Sequence, residues 1–97
     1  MRKYRVLVNG RNFVIDIDGQ LGPHGFFTTR FVEAASVADA ELAAVALIRN
    51  LEHIKPLLKN APDSPPLIHV EEIEEIEDFD PEEPEHGLGW YREDEQQ

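Results

Sequence analysis

Asp16, Asp18, His24 and Arg30 bring two carboxylates, an imidazole and a guanidinium within fifteen residues. Those are the types from which an acid–base or ligand-binding cluster is assembled. Asp16 and Asp18 alternate as on one face of a strand, opposite Phe13, Ile15 and Ile17, so the cluster needs only that the next segment carry His24 and Arg30 back to them. Solvated carboxylates at the end of a hairpin account for the same residues more simply. The other chemical candidates are weaker. His24, His53, His69 and His86 are scattered, and no two stand at metal-ligand spacing. Asp78, Asp80, Glu82, Glu83 and Glu85 lack the glycine-bearing twelve-residue loop of an EF-hand. Ser36 is placed to cap a helix rather than to act as a nucleophile. There is no cysteine, no G-x-S-x-G, no P-loop and no G-x-G-x-x-G. No catalytic, metal-binding or cofactor-binding residue is expected, and the chain reads as a non-enzyme.

The elements that must position these residues begin with Asn9-Gly10, which lies between two β-rich runs, Tyr4–Val8 and Arg11–Ile17. Both residues tolerate positive φ, so the dipeptide predicts a two-residue type I′ hairpin. Val8 then pairs with Arg11, Val6 with Phe13 and Tyr4 with Ile15. Tyr4, Val6, Val8, Phe13, Ile15 and Ile17 line one face, and Leu7 and Val14 point to the other. Residues 18–25 (DGQLGPHG) read as a loop, and Phe26–Ala34 as a third strand, apolar on both faces. Ser36 opens a helix whose stripe is Val37, Ala40, Ala44, Leu47, Ile48 and Leu51, ending near His53 ahead of Pro56. Pro56–Lys59 starts a short second turn. Leu67–Phe79 fits a strand by its Ile68/Val70 alternation and a helix by its Val70, Ile73, Ile76 and Phe79 spacing. Pro65-Pro66 and the β-branched residues favour a strand with a bulge near Glu72.

The chain is 97 residues with a formal charge of −11, enough for one small domain. The charge is unevenly placed. Residues 1–70 carry eight bases and seven acids, whereas residues 71–97 carry thirteen acids and one base, Arg92. Such a field repels phosphate, so nucleic acid is not an expected partner. It suits a basic protein surface, or serves solubility. No run is long and apolar enough for a membrane span, and the Met1-Arg2-Lys3 start has no apolar region behind it. A cytoplasmic location is expected, with no membrane contact.

These readings give an α+β domain over residues 1–79: an antiparallel sheet of three to four strands (hairpin, strand, helix, strand) with one main helix on one face. Residues 80–97 are expected to form an acidic, proline-containing tail without regular structure, anchored by Trp90-Tyr91. A sheet covered by one helix leaves one face bare, and such apolar excess marks association. The expected interface residues are Leu7, Val14, Phe26, Phe27, Trp90 and Tyr91. The passage FFTTRFVEAAS leading into ADAELAAVALIR resembles small uncharacterised bacterial proteins, some carried as integron gene cassettes, over residues 1–79. Residues 29–49 are also similar to the HicB-type antitoxin domain, a ββ-β-α unit with an alanine-rich helix, although this chain ends in acid where many such antitoxins carry a DNA-binding segment. Neither resemblance carries over a catalytic residue, and both imply an accessory role played through protein contacts. The expected function is that of a homo-oligomeric interaction protein whose acidic segment meets a basic partner. The alternative is a small-molecule binder or minor enzyme with its site at the junction of sheet and neighbouring subunit.

Overall fold

The computed structural model describes residues 1–51, 54–79 and 88–93. Within them the chain runs β1 (Arg2–Ile17), β2 (Gln20–Ala34), α1 (Val37–Arg49), a short 3-10 turn (Lys55–Leu57), β3 (Leu67–Ile76) and β4 (Gly89–Arg92). The strands make one antiparallel sheet in the order β3-β1-β2-β4, with α1 packed on one face. This is the expected α+β class. None of the described helices is long and apolar enough to cross a membrane.

The first hairpin is not where Asn9-Gly10 places it. Neither residue has positive φ; the positive angles fall at Asn12 (56°), Asp18 (53°) and Gly19 (82°). Asp18-Gly19 is the two-residue turn, with both central residues left-handed as a type I′ turn requires, and residues 20–25 are strand rather than loop. The choice has a physical reason. A turn at Asp18-Gly19 pairs Ile17 with Gln20 and continues to Arg2 with Ala34, so that nearly every residue from 2 to 34 has a partner across the ladder. A turn at Asn9-Gly10 would pair less than half of that length. Asn9 is instead 5% exposed, and its Nδ2 donates to Phe26 O (2.9 Å) and Tyr91 Oη (3.2 Å).

The expected face survives this change of turn. Between Gly10 and Phe13 the pairing with β2 slips by one residue, a bulge with Asn12 in the left-handed region. The extra residue reverses the alternation, as a two-residue turn would have done. Tyr4, Val6 and Val8 therefore still share a face with Phe13 and Ile15, and all five are buried. The bulge is also held from the edge. Asn60 Oδ1 accepts from Val14 N (3.1 Å), its Nδ2 donates to Asn12 O (2.7 Å), and Lys59 N donates to Val14 O (2.7 Å). One side-chain amide thus does what a peptide group of a neighbouring strand would do.

Ser36 caps α1, its Oγ accepting from Asp39 N at 3.2 Å. The helix stops at Arg49 rather than near His53, which lies outside the described residues. Asn50 ends it, with its backbone N–H and its Nδ2 both directed to Ala46 O. Ala40, Ala44 and Ile48 are the buried line of α1, and Leu51 packs against the same core. Val37 and Leu47 are about half exposed, because only the i, i+4 line meets the sheet. The turn after the helix comes at Lys55–Leu57, one residue ahead of the expected Pro56 start.

β3 is a strand, and its bulge lies where the spacing predicts one. Val8 pairs with Val70 and Leu7 with Glu72, leaving Glu71 as the extra residue. Ile68, Val70 and Ile73 thereby reach the core together. Across β1, the pairs Arg5–Glu74, Arg2–Glu75 and Lys3–Asp78 at 3.5–3.9 Å join the basic strand to the acidic one. These exposed pairs add little stability, but they favour this register over its neighbours. Residues 89–92 of the expected irregular tail form β4, pairing with His24–Phe27 of β2.

Tyr4 is fully buried, and its hydroxyl has no hydrogen-bond partner among the described residues. Removing an unsatisfied buried hydroxyl relieves its desolvation cost. Tyr4→Phe is therefore expected to leave stability unchanged or raise it by about 1 kcal/mol; a urea melt showing a loss of more than about 1 kcal/mol would contradict this.

Candidate functional site

Two places on the sheet gather functional side chains, one on each face. The first is the face away from α1. Alternation along the strands sends Lys3, Arg5, Leu7 and Asn9 of β1 to this side, beside Glu33, Phe31, Thr29 and Phe27 of β2. Glu72 and Glu74 of β3 flank Leu7 and Arg5. Phe27 is 49% exposed and stacks on Tyr91 of β4, with ring centroids 5.9 Å apart and planes at 26°. The Tyr91 ring lies across Gly25, its cross-strand partner. Further along, Phe31 meets Phe79 edge-on at 6.0 Å, and Lys3 Nζ sits 5.8 Å from the Phe79 centroid. Leu7, Val14, Phe31, Phe79 and Tyr91 are all half-buried. This puts one ring pair on β2 and β4 and a second between β2 and the segment after β3, beside charged residues of β1 and β3.

Of the six expected interface residues, Leu7, Val14, Phe27 and Tyr91 lie on or beside this face. Phe26 and Trp90 do not. Phe26 is fully buried on the α1 side, and Trp90 packs edge-on against it (5.1 Å) and against Phe13 (6.0 Å). The aromatic anchor of the acidic segment thus divides: Trp90 completes the chain's own core, and Tyr91 extends the open face. Phe79, which contributes to that face, was not among the expected interface residues. Its signal is the three-residue spacing from Ile76, which carries the apolar pattern past the end of β3.

The second place is a cleft of about 290 Å³ at the far end of the α1 side, lined by Ile17, Asp18, Gln20, His24, Trp90 and Arg92, with Tyr91 at its edge. Of the expected cluster, Asp18 and His24 meet here. Asp16 lies on the opposite face of β1, beside Leu21. Arg30 is buried beside Val6, about 20 Å along β2 from His24 by strand rise. His24 is 2% exposed. Its Nδ1 lies 2.7 Å from Gly22 O, so Nδ1 carries a proton and donates. Its ring meets the Trp90 indole at 6.4 Å, nearly perpendicular. Arg92 pairs with His24 across the sheet and donates from Nη1 to Gln20 Oε1 at 2.8 Å. The cation that enters the cleft is thus Arg92 rather than Arg30. The signal was present, since Arg92 is the only base after Lys59 and directly follows the aromatic pair. No family model matches this chain, and no curated protein or solved structure is similar enough to match it.

Proposed function

We propose that this chain is a non-enzymatic interaction protein that works as a homo-oligomer, the open face of one copy packing on that of another. The observation that carries the reading is Phe27, half exposed and stacked on Tyr91, with a second ring pair, Phe31 and Phe79, further along the same face. A contiguous apolar patch on a sheet face is the kind of surface that associating proteins cover, and a patch meeting its own copy generates a closed two-fold pair. The acidic residues of β3 and of the segment after it are then left for a basic protein partner, as in an antitoxin or immunity protein. A contact of that kind weakens steeply with salt.

Light scattering on the full-length chain tests the first part. At about 100 μM, enough to populate a micromolar dimer, the wild type is expected to weigh at least twice the 11.1 kDa of one chain. Phe27→Lys is expected to weigh one chain with an unchanged far-UV spectrum. A wild type that remains at one chain's mass at that concentration overturns the reading.

A further inference from the structure

Asn9-Gly10 does not form the turn its sequence suggests, and it is the only asparagine–glycine pair in the chain. An asparagine followed by glycine is prone to lose its side-chain amide, because no side chain on the second residue hinders attack by its nitrogen. The fold nevertheless requires both residues. A Cβ at position 10 would fall within the Phe26 ring, and Asn9 Nδ2 is directed to Phe26 O (2.9 Å), Gly10 O (3.2 Å) and Tyr91 Oη (3.2 Å). The same surroundings hold the reacting groups apart. β1 is paired on both sides here: Asn9 and Gly10 meet Phe27 and Phe26 of β2, and His69 and Ile68 of β3. In such a strand the Asn9 side chain stands out of the sheet, while the Gly10 N–H lies in its plane. Bringing Gly10 N onto Asn9 Cγ needs a backbone rotation at Asn9 that breaks both ladders together.

From this we propose that Asn9 is a latent modification site, closed in the folded chain and converted to aspartate or isoaspartate only when the sheet opens. Gly10 N gives up its proton to solvent base and bonds to Asn9 Cγ. The Cγ–Nδ2 bond breaks, and the nitrogen takes a proton from water and leaves as ammonia. Water then opens the cyclic imide. Cleavage between Gly10 N and Cγ leaves aspartate; cleavage at the main-chain carbonyl leaves isoaspartate, whose backbone is longer by one carbon. Neither product fits the place it came from. Aspartate has no N–H to give to Phe26 O and sets a buried charge against it. Isoaspartate throws the later pairing of β1 out of step. The conversion therefore runs one way, and a chain that has opened here carries a lasting mark of it.

Trypsin releases the site as the peptide 6–11 (VLVNGR), in which loss of the amide is read by mass and isoaspartate by its separate elution. The full-length protein is incubated in mildly alkaline buffer over a series of urea concentrations, at high dilution so that closure within a single chain is read. In fully denaturing urea, conversion of Asn9 is expected to run to completion. Without urea it is expected to be at least about a hundredfold slower. Between these limits the rate should follow the global unfolding curve. Asn9→Asp, which installs one product directly, is expected to lower the melting temperature by about 5 °C or more; failure of that variant to fold meets the same expectation. A native rate within about threefold of the denatured one, a rate that ignores urea below the transition, or an Asn9→Asp chain that melts like the wild type would each overturn the proposal. None of these results depends on whether the open face self-associates.

Discussion

Gly10→Ala will lower the stability of this protein by about 3 kcal/mol, or roughly 12–24 °C in melting temperature for a chain of this size. A Cβ at Gly10 would fall within the ring of Phe26, its cross-strand partner, against Cε2, Cζ and Cδ2. The ring cannot turn aside, because Phe13 closes one side at 5.0 Å and Trp90 another at 5.1 Å, both edge-on. Phe26 is fully buried, so it has no solvent to move into. Gly10 is not in the left-handed region, so the cost is steric rather than conformational. Phe26→Leu added to Gly10→Ala should recover part of the loss by shrinking the obstacle, whereas each single change is destabilising. A thermal melt of Gly10→Ala within about 3 °C of the wild type would show that the ring is not packed as described.

Trp90→Ala will cost a comparable amount, about 3 kcal/mol, at the low end for removal of a large aromatic side chain because Trp90 is only partly buried. The substitution removes ring contacts to Phe13, Phe26 and His24 together. It also releases β4, whose four residues have only four ladder partners on β2 and depend on this side chain to stay docked. Loss of β4 exposes the outer edge of β2 at His24–Phe27, so amide exchange at those positions should rise together with the drop in melting temperature. Trp90→Phe, which keeps a ring in the slot, should restore most of both. If Trp90→Ala melts like the wild type, the aromatic pair does not anchor the segment.

The contrast between these residues shows what could be read in advance. The core face from Tyr4 to Ile15 was legible because its alternation is strong, and the reversal of phase between Val8 and Phe13 was visible as well. Its cause was not. A tight turn and a one-residue bulge reverse phase in the same way, and Asn9-Gly10 carries the stronger local signal for a turn. What decided against it is non-local: the full pairing of two long strands about Asp18-Gly19, with Asn9 bonded to Phe26 and Tyr91 far along the chain. The β3 bulge, by contrast, could be placed to within one residue because Val70 and Ile73 must both face inward. The Ser36 cap was legible for a similar reason, since all its partners lie within three residues. Arg92 entered the cleft and Arg30 did not because strand β4 pairs with β2 at His24, and that pairing rests on Trp90 finding a slot made by Phe13 and Phe26. No spacing along the chain records it.

β3 is the outermost strand on its side of the sheet, ten residues long, and a strand that long normally invites another to add to it. Here four of the ten residues are glutamate, and a second copy arriving at that edge brings the same four. The sheet therefore has one border that repels its own kind, and addition of a second copy along that edge is disfavoured. Crowded copies of this chain are thus steered away from the edge-to-edge strand addition at β3 that builds fibres.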